Sequence, residues 1–533
     1  MMVPLSNSSE SVLPRDQQIQ KHLNAAILHH QNSRFADAEL LYKEVCKIEP
    51  NNHIAIQLSG VLAAQTGQIA RSLNLLSRAI SIKPDYVDAL SNRGNVLQKL
   101  KRFDEAIQDY DRAISLKPDY VDALYNRGVA LKELKRFDEA IADYSKAISL
   151  KPDHVAALNN RGVVLKKLKR FDEAMREFDK ALSLRPDYVE ALNSRGLTLL
   201  ELRRFDEAMR EFDKVISLNP NHAEAHWSKS LQLLRQGEFV QGWELYEWRW
   251  KRKSVSSPVR KFSKPLWLGK EDLCGKTILL HWEQGLGDVI QFSRYVKEVA
   301  KLGCKTVLEV QKPLFELMKG LEGVDELIAN GSDLPPFDFY CPLLSLPLAL
   351  GTTLETIPSP VSYIRISDNK RAKWLNRLGT TSKPRIGIVW NGNANHTNDH
   401  NRSIALEQML DAVTGDYELI SLQKEVRQAD LSIIEQSEQL RHFGAELDDF
   451  TDTAALCELV DVIVSVDTSV AHLAGALGRP VNLLLPYNSD FRWLLDRTDS
   501  PWYPSMKLFT QESDMLWKSV LERLAIQLEA LSK

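Results

Sequence analysis

Proline recurs at Pro84, Pro118, Pro152, Pro186 and Pro220, each 34 residues after the last. A period longer than any ordinary helix or strand means that the chain repeats a supersecondary unit, and this constrains the fold more than any composition does. The phrase "KPDYVDAL" travels with the proline. Small residues keep the same register: Gly94, Gly128, Gly162 and Gly196 early in each unit, Ala106, Ala140, Ala174 and Ala208 later. A helical hairpin needs small residues where its two helices touch and a proline where the second helix stops. Large apolar residues fill the remaining positions, as in "FDEAIQDYDRAISL". The clearest units span 84–219. Weaker ones occupy 16–49, 50–83 and 220–253, as expected where terminal repeats must cap a stack.

In period and in small-residue positions these units resemble tetratricopeptide repeats. The resemblance implies an α-helical superhelix over 16–253, its concave face lined by the first helices. Asn92, Asn126 and Asn160 fall at one position of successive repeats, continued by Ser194 and Ser228. An amide side chain both donates and accepts, so such a ladder can grip a peptide backbone without reading its sequence. In the repeat arm of O-linked N-acetylglucosamine transferases a similar ladder holds protein substrates. The other reading is plain polar surface. The neighbouring Arg93, Arg127, Arg161 and Arg195 are expected to pair with nearby carboxylates.

After Trp250 the pattern changes. "KRKSVSSPVRKFSKPLW" is basic and rich in Ser and Pro; it is either an exposed linker or an arm packed on the next domain. Then strands alternate with helices in two series. The first runs through "KTILLHW", the helix "GDVIQFSRYVKEVAKLG", "KTVLEV" and the helix "PLFELMKGL", with "VDELIA", "FDFYCPLL" and "SYIRI" as further short strands or loops. The second runs through "RIGIVW", "YELISLQ", "LRHFGAEL", "DVIVSV" and "VNLLLP". Unbroken Ile/Val/Leu strands between helices argue parallel sheets covered on both faces. Two series in tandem argue two Rossmann-like lobes, 254–373 and 374–533, with ligands at the carboxyl ends of the strands. The terminal helix "DMLWKSVLERLAIQLEALS" is expected to pack back across the first lobe.

Composition narrows the function classes. In 533 residues, 68 basic side chains face 71 acidic ones, which argues against a nucleic-acid binder driven by net charge. The cysteines (Cys46, Cys274, Cys304, Cys341 and Cys457) are scattered without metal-ligand spacing, as for structural thiols in a reducing cytoplasm. No signal peptide and no membrane-spanning run is seen, so a cytoplasmic location is expected.

Three strand-to-helix turns are candidates for chemistry. In "HWEQGLGDVIQFSRY", Gly285 and Gly287 follow the first strand and allow close backbone approach to a ligand. Asp288 sits at the helix start, as a cap or as a general base toward a hydroxyl. In "VWNGNANHTNDHNRSI" the polar residues Asn391, Asn393, Asn395, His396, Asn398, Asp399, His400 and Arg402 follow the second series' first strand. The histidines share one loop with no spaced partner, so no metal is expected. Arg402 can clamp phosphate oxygens through two N–H groups. In "SVDTSVAHLAGALGRPVNLLLP", Asp467, Thr468, Ser469 and His472 stand at a helix mouth. Thr468 or Ser469 can cap that helix, or its free N–H groups can receive a diphosphate. Asp467 organises the turn or contacts a ribose. "FTDTAALCEL" offers another capped helix at Asp452–Thr453.

"GLGDVIQFSRY", "GIVWNGN", "DFTDTAALCELVDVIVSVDTSVAHLAGALGRPV" and "FRWLLDRTDSPWYPSMKLF" are similar to bacterial tetratricopeptide-repeat glycosyltransferases. Their catalytic half resembles the heptosyltransferase family (glycosyltransferase family 9), over about residues 235–511. The resemblance implies a GT-B-type pair of lobes, acceptor side first and nucleotide-sugar side second. It implies inverting, metal-independent transfer from a nucleotide-sugar co-substrate, without further cofactor. It assigns Asp288 as the base. It assigns Asp467, Thr468, Ser469 and His472 to the donor's phosphates and nucleoside, and Arg402 falls near where the family uses a lysine on the phosphates. From their own turns, Gly285, Gly287, Asn391 and Asn393 are added to the donor side, and from the repeat ladder Asn92, Asn126 and Asn160 to the acceptor. The chain departs from the family at Ser469, where glycine is common, and in its Asn/His loop. The fused repeats favour a protein or peptide acceptor. Two other classes remain open. One is a non-catalytic repeat scaffold with a degenerate nucleotide-binding domain. The other is a cofactor-dependent epimerase or dehydrogenase, for which the three-glycine phosphate loop is incomplete.

Overall fold

A computed structural model describes residues 14–252, 260–394 and 398–529. The chain divides into two compact units, 1–219 and 220–533.

The first unit is a run of helical hairpins. First helices begin at Val87, Val121, Val155 and Val189, and second helices at Phe103, Phe137, Phe171 and Phe205. The weaker repeats form the same hairpins, Arg15–Gln31 with Phe35–Ile48 and His53–Gln65 with Ile69–Ile82. The recurrent glycine has a specific cause. A Cβ on Gly94, Gly128, Gly162 or Gly196 would lie 2.6–2.8 Å from the ring of Tyr110, Tyr144, Phe178 or Phe212. The second helix therefore lays an aromatic ring where the first has no side chain.

The recurrent arginines pair with carboxylates as expected. Arg93 grips Asp109 through two bonds of 2.7 and 2.6 Å, and Arg127 grips Asp143 in the same way. Arg161 meets Glu177 at 2.6 Å and Arg195 meets Glu211 at 2.5 Å. Each also reaches back to the preceding hairpin, to Ser77, Asp111, Ser145 or Asp179. One guanidinium thus staples two helices of its own hairpin and one of its neighbour.

The turn between paired helices carries a further repeat. Ser33, Gly67, Lys101, Lys135, Lys169, Arg203 and Gly237 all adopt positive φ, between 54° and 86°. The hairpin closes through a left-handed residue whether or not glycine stands there.

The second unit holds two parallel sheets. The strands are β1 (Thr277–His281), β2 (Lys305–Val310), β3 (Glu326–Ala329), β4 (Phe339–Pro342), β5 (Arg385–Val389), β6 (Glu418–Ser421), β7 (Leu440–His442), β8 (Val462–Val466), β9 (Val481–Leu485) and β10 (Met506–Thr510). Their orders are β3-β2-β1-β4 and β10-β9-β8-β5-β6-β7. Each sheet reverses its winding once, between β1 and β4 and between β5 and β8. Parallel α/β sheets bind ligands at such points.

Several expectations change here. Of the segments left open as strands or loops, "VDELIA" and "FDFYCPLL" hold β3 and β4 while "SYIRI" is a loop. The segment after β1 is broken into Leu286–Phe292, a 3₁₀ turn Ser293–Tyr295, and Val296–Ala300. The terminal helix, Lys518–Glu529, packs on the second sheet and not on the first lobe. Its Val520, Leu521, Leu524 and Leu528 join Ile386, Ile388 and Val464 in one core, and Tyr417 Oη donates to Leu528 O at 2.8 Å. An apolar stripe specifies that a helix is covered without naming the cover.

Of the connector, residues 253–259 lie outside the described residues. From Arg260 onward it is an arm packed on the first lobe: Arg260 bonds Glu309, the Phe262 ring lies 4.7 Å from that of Tyr340, and Trp267 N donates to Tyr340 O at 2.9 Å.

The hairpin Ala223–Gln236 with Phe239–Tyr246 belongs to this second unit. Leu234, Phe239, Trp243 and Tyr246 share one core with Ile278, Leu280, Phe292 and Phe491. Trp243 makes edge contacts with Phe292 at 6.0 Å and Phe491 at 5.8 Å. At the hairpin's end, buried Arg249 bonds buried Glu283 at 2.9 and 3.0 Å and Ser345 at 2.6 Å, beyond the carboxyl ends of β1 and β4.

Candidate functional site

The turns that follow β1 and β8 meet. The helix Leu286–Phe292 packs on the helix Ser469–Ala476. A Cβ on Gly287 would lie 2.8 Å from the His472 ring and 3.4 Å from Ser469 Cα. The space that glycine opens is thus taken by His472, and Gly287 serves the approach of the two helices. Gly285 is exposed and starts the first helix in an extended conformation.

Asp288 turns back on its own helix start, where its Oδ2 accepts from Gly285 N at 2.8 Å. Its Oδ1 pairs with Arg492. Arg492 comes from the turn Phe491–Trp493 after β9 and is 8 % exposed. Its Nη1 also donates to Asp490 Oδ1 at 2.7 Å. Burial works against the Arg492 charge, but Asp490 and Asp288 more than offset it and raise its pKa. The pair spans the two lobes. Sequence reading missed Arg492, which stands in an irregular loop with no periodicity to mark it. Its signals were the flanking Phe491 and Trp493, apolar anchors that fix a turn in place, and its position in the stretch "FRWLLDRTDSPWYPSMKLF".

His472 is buried. Its Nδ1 lies 3.0 Å from Tyr503 Oη, and its ring stacks on Trp493 at 5.2 Å. Burial, then the charge of Arg492, lowers its pKa to about 3, so the imidazole is neutral.

On the second sheet, the turns after β5 and β8 flank the reversal point and are tied together by Arg402. Its Nη1 donates to Asp467 O at 2.9 Å. Its guanidinium fills the space beside Gly392, where a Cβ would lie 2.5 Å from Nη2. Nε is buried, 3.6 Å from Asp399 Oδ1, and has no hydrogen-bond partner among the described residues.

Asn391 is buried and internally satisfied. Its Oδ1 accepts from Gln423 Nε2 at 2.9 Å and its Nδ2 donates to Asp430 Oδ2 at 3.3 Å. Trp390 joins the same pair, through N to Gln423 at 2.8 Å and Nε1 to Asp430 at 2.9 Å. Gln423 and Asp430, which sequence reading did not single out, thus hold the root of the polar loop. Asn393 is exposed, as are Asn398 and His400. Asn395 and His396 lie outside the described residues. Among the described residues no three His, Cys, Asp or Glu side chains gather in a group that could hold a metal ion.

Thr468 occupies the N-cap position of Ser469–Ala476, yet its side chain makes no capping bond. The expected side-chain cap is therefore not formed by Thr468, and this helix start offers its first N–H groups to the turn. Asp467 lies beside it. Burial, then the charge of Asp490, raises its pKa to about 6. Asp490 moves the opposite way: burial would raise it, but Arg492 holds it low. At the fourth turn the cap is Asp449, not Asp452–Thr453. Asp452 stands three residues on and is fully buried, bonded by Trp374 Nε1 at 2.8 Å and Lys370 Nζ at 2.6 Å.

On the repeats, the side-chain amides of Asn92 and Asn126 are half-buried and make no hydrogen bond among the described residues. Asn160 Nδ2 donates to Tyr125 Oη at 3.0 Å.

Comparison with known proteins identifies the repeats as a class. Residues 87–120, 121–154, 155–188 and 189–222 match the tetratricopeptide repeat, and 62–101 match a related repeat family. Among individual proteins, the chain is 26 % identical over 320 residues to Protein FlbA of Caulobacter vibrioides, covering 55 % of this chain and 52 % of that one. It is 29 % identical over 96 residues to Protein O-mannosyl-transferase Tmtc3 of Drosophila melanogaster, covering 15 % of this chain and 10 % of that one. The chain thus spans about half the length of one relative and a tenth of the other. Among solved structures it is similar to YrrB, described as a TPR protein with an unusual peptide-binding site, at 21 % identity and a TM-score of 0.31, over 36 % of this chain and 98 % of that one. No helix among the described residues is long and apolar enough to cross a membrane.

Proposed function

We propose that the second unit is an inverting, metal-independent glycosyltransferase of GT-B type. It moves a sugar from a nucleotide-sugar donor to a protein or peptide that the repeats recruit. The observation that carries this reading is the meeting of two strand-to-helix turns from separate parallel sheets, with a carboxylate on one side and two arginines on the other. The resemblance to glycosyltransferase family 9 points the same way. The name of the short Tmtc3 match adds only a little, because that match covers so little of either chain.

In this reading the acceptor oxygen attacks the anomeric carbon while Asp288 takes its proton. The bond from that carbon to the nucleoside diphosphate breaks, and negative charge grows on the leaving phosphate. Arg402 and the N–H groups of the helix Ser469–Ala476 meet that charge, fixed in place before the reaction begins. Removing one such donor raises a barrier by about 3 kcal/mol. Asn92, Asn126 and Asn160 would hold the acceptor backbone.

The test is incubation with radiolabelled sugar nucleotides. Wild-type protein is expected to release nucleoside diphosphate and to label an acceptor, and Asp288→Asn to bind donor without transferring it. Normal turnover by that variant would remove Asp288 from the base role. A second reading, a repeat scaffold whose α/β unit binds nucleotide without turnover, is favoured by one observation: both oxygens of Asp288 already have partners in this structure.

A further inference from the structure

Arg492 is bonded to the carboxylate that the transferase reading makes the base, and that reading gives it no step in the transfer. We infer that Arg492 is a positioning residue that exchanges partners: it pairs with Asp288 until the diphosphate of a donor takes its guanidinium, and that exchange frees Asp288 for the acceptor. This rests on the transferase reading above.

Three observations carry it. First, the pair joins the lobes. Asp288 belongs to the helix after β1 and Arg492 to the turn after β9, so the contact lies where a ligand shared by both sheets would sit. Second, the guanidinium is anchored but not satisfied. Asp490 on its own turn holds Nη1 at 2.7 Å and also accepts from Arg492 N at 3.1 Å, which fixes the fork's direction. Nε is buried with no hydrogen-bond partner among the described residues. A buried N–H without an acceptor is unfavourable, and phosphate oxygens suit a guanidinium fork better than one carboxylate oxygen does. Third, the charges are arranged for exchange. Arg492 faces Asp288 and Asp490, and Arg402 is tied to the neighbouring Asp467 carbonyl. A diphosphate brings more negative charge to Arg492 than Asp288 does, so at equal distance it wins the competition. Asp288 keeps its bond from Gly285 N and remains aimed by its own helix.

The exchange would order the reaction, donor before acceptor. It also resolves the apparent conflict of a base whose carboxylate is already bonded.

The experiment is calorimetry on the full chain with ADP, GDP, UDP, CDP and TDP, continued with whichever binds. Asp288→Asn should bind that diphosphate about fivefold to tenfold more tightly than wild type, because Arg492 no longer leaves a charged partner. Arg492→Met should weaken it at least about tenfold, and Arg492→Lys by less, since lysine keeps the charge and loses the fork. In the Arg492→Met background, Asp288→Asn should give no gain. The parent nucleoside, lacking phosphate, should bind all variants alike. If Arg492→Met fails to fold by circular dichroism, the same cycle is run on Arg492→Lys, where the gain should shrink. Unchanged or weaker diphosphate binding by Asp288→Asn overturns the exchange while leaving the transferase reading intact. So does a gain of full size in either arginine background. If none of the five binds wild type, the transferase reading fails, and the exchange with it.

Discussion

The left-handed residue in each hairpin turn gives a prediction with two opposite signs. Lys101 and Lys135 adopt φ of 59° and 61°, while Gly67, at the same position of an earlier hairpin, adopts 78°. An L-residue in this region costs about 1–2 kcal/mol, and glycine gives back about 0.5–1 kcal/mol of that through its freer unfolded chain. Lys101→Gly and Lys135→Gly should therefore each stabilise their hairpin by roughly 0.5–1 kcal/mol. Both lysines are exposed and neither holds an ion pair among the described residues, so little is lost with the side chain. Gly67→Lys should destabilise its hairpin by the same amount. A Cβ there would meet nothing within 4 Å, so the penalty is conformational and not steric. Hydrogen-exchange mass spectrometry on the full chain reads each hairpin locally. After correction for intrinsic rates, protection across 121–150 should rise about twofold to fivefold in Lys135→Gly, and that across 53–82 should fall similarly in Gly67→Lys. Protection that moves in one direction for both substitutions, or in neither, would refute the argument that φ sets the cost.

Gly128→Ala drives a methyl group to 2.7 Å from the Tyr144 ring and should cost about 1–3 kcal/mol, seen as a loss of helical signal at lower urea. Burial opposes the charge of Asp452, but Lys370 and Trp374 prevail and lower its pKa to about 2. Its stabilisation is present above the unfolded value near 4 and is lost as pH falls toward 2, so Asp452→Asn should flatten the acid limb of the stability curve by up to about 2 kcal/mol. His472 and Asp467 act against each other. The unfolded chain protonates histidine below about pH 6.5 while folded His472 stays neutral, so stability falls with pH. Folded Asp467 gains a proton between about 6 and 4, so stability rises. Asp467→Asn should therefore steepen the loss of stability between pH 6 and 4, read as thermal midpoints across that range.

Legibility in the sequence followed the reach of the interactions. The hairpins were legible because one pattern is written repeatedly, and the same register predicted that Arg93, Arg127, Arg161 and Arg195 would find carboxylates. The left-handed turn was not, because Lys101, Lys135 and Lys169 stand where only Gly67 and Gly237 advertise the conformation. The two sheets were legible from continuous Val, Ile and Leu in β1, β5, β8 and β9. What covers them was not, so the helix 518–529 was expected on the wrong lobe. At the candidate site, residues next to a strand end could be named, because a strand followed by Gly-Asp or Asp-Thr-Ser marks its own turn. Gln423, Asp430, Asp490 and Arg492 lie in segments without such marks. Gln423, Asp430 and Arg492 matter through partners 32 to 204 residues away, a separation that no local window spans, and Asp490 matters through Arg492.

The register of the guanidinium staples bears on how such a chain can change length. Excising residues 121–154 would bring Arg161 opposite Asp111 in place of Ser145, a partner that already serves Arg127. Duplicating the same stretch would repeat pairings already in use. The array can thus grow or shrink by whole periods, whereas the hairpin bearing Trp243 and Arg249 is built into the core of the second unit. A chimera that grafts a foreign array onto the second unit should be spliced ahead of Pro220. A graft made after Trp250 would carry off part of that unit's own foundation.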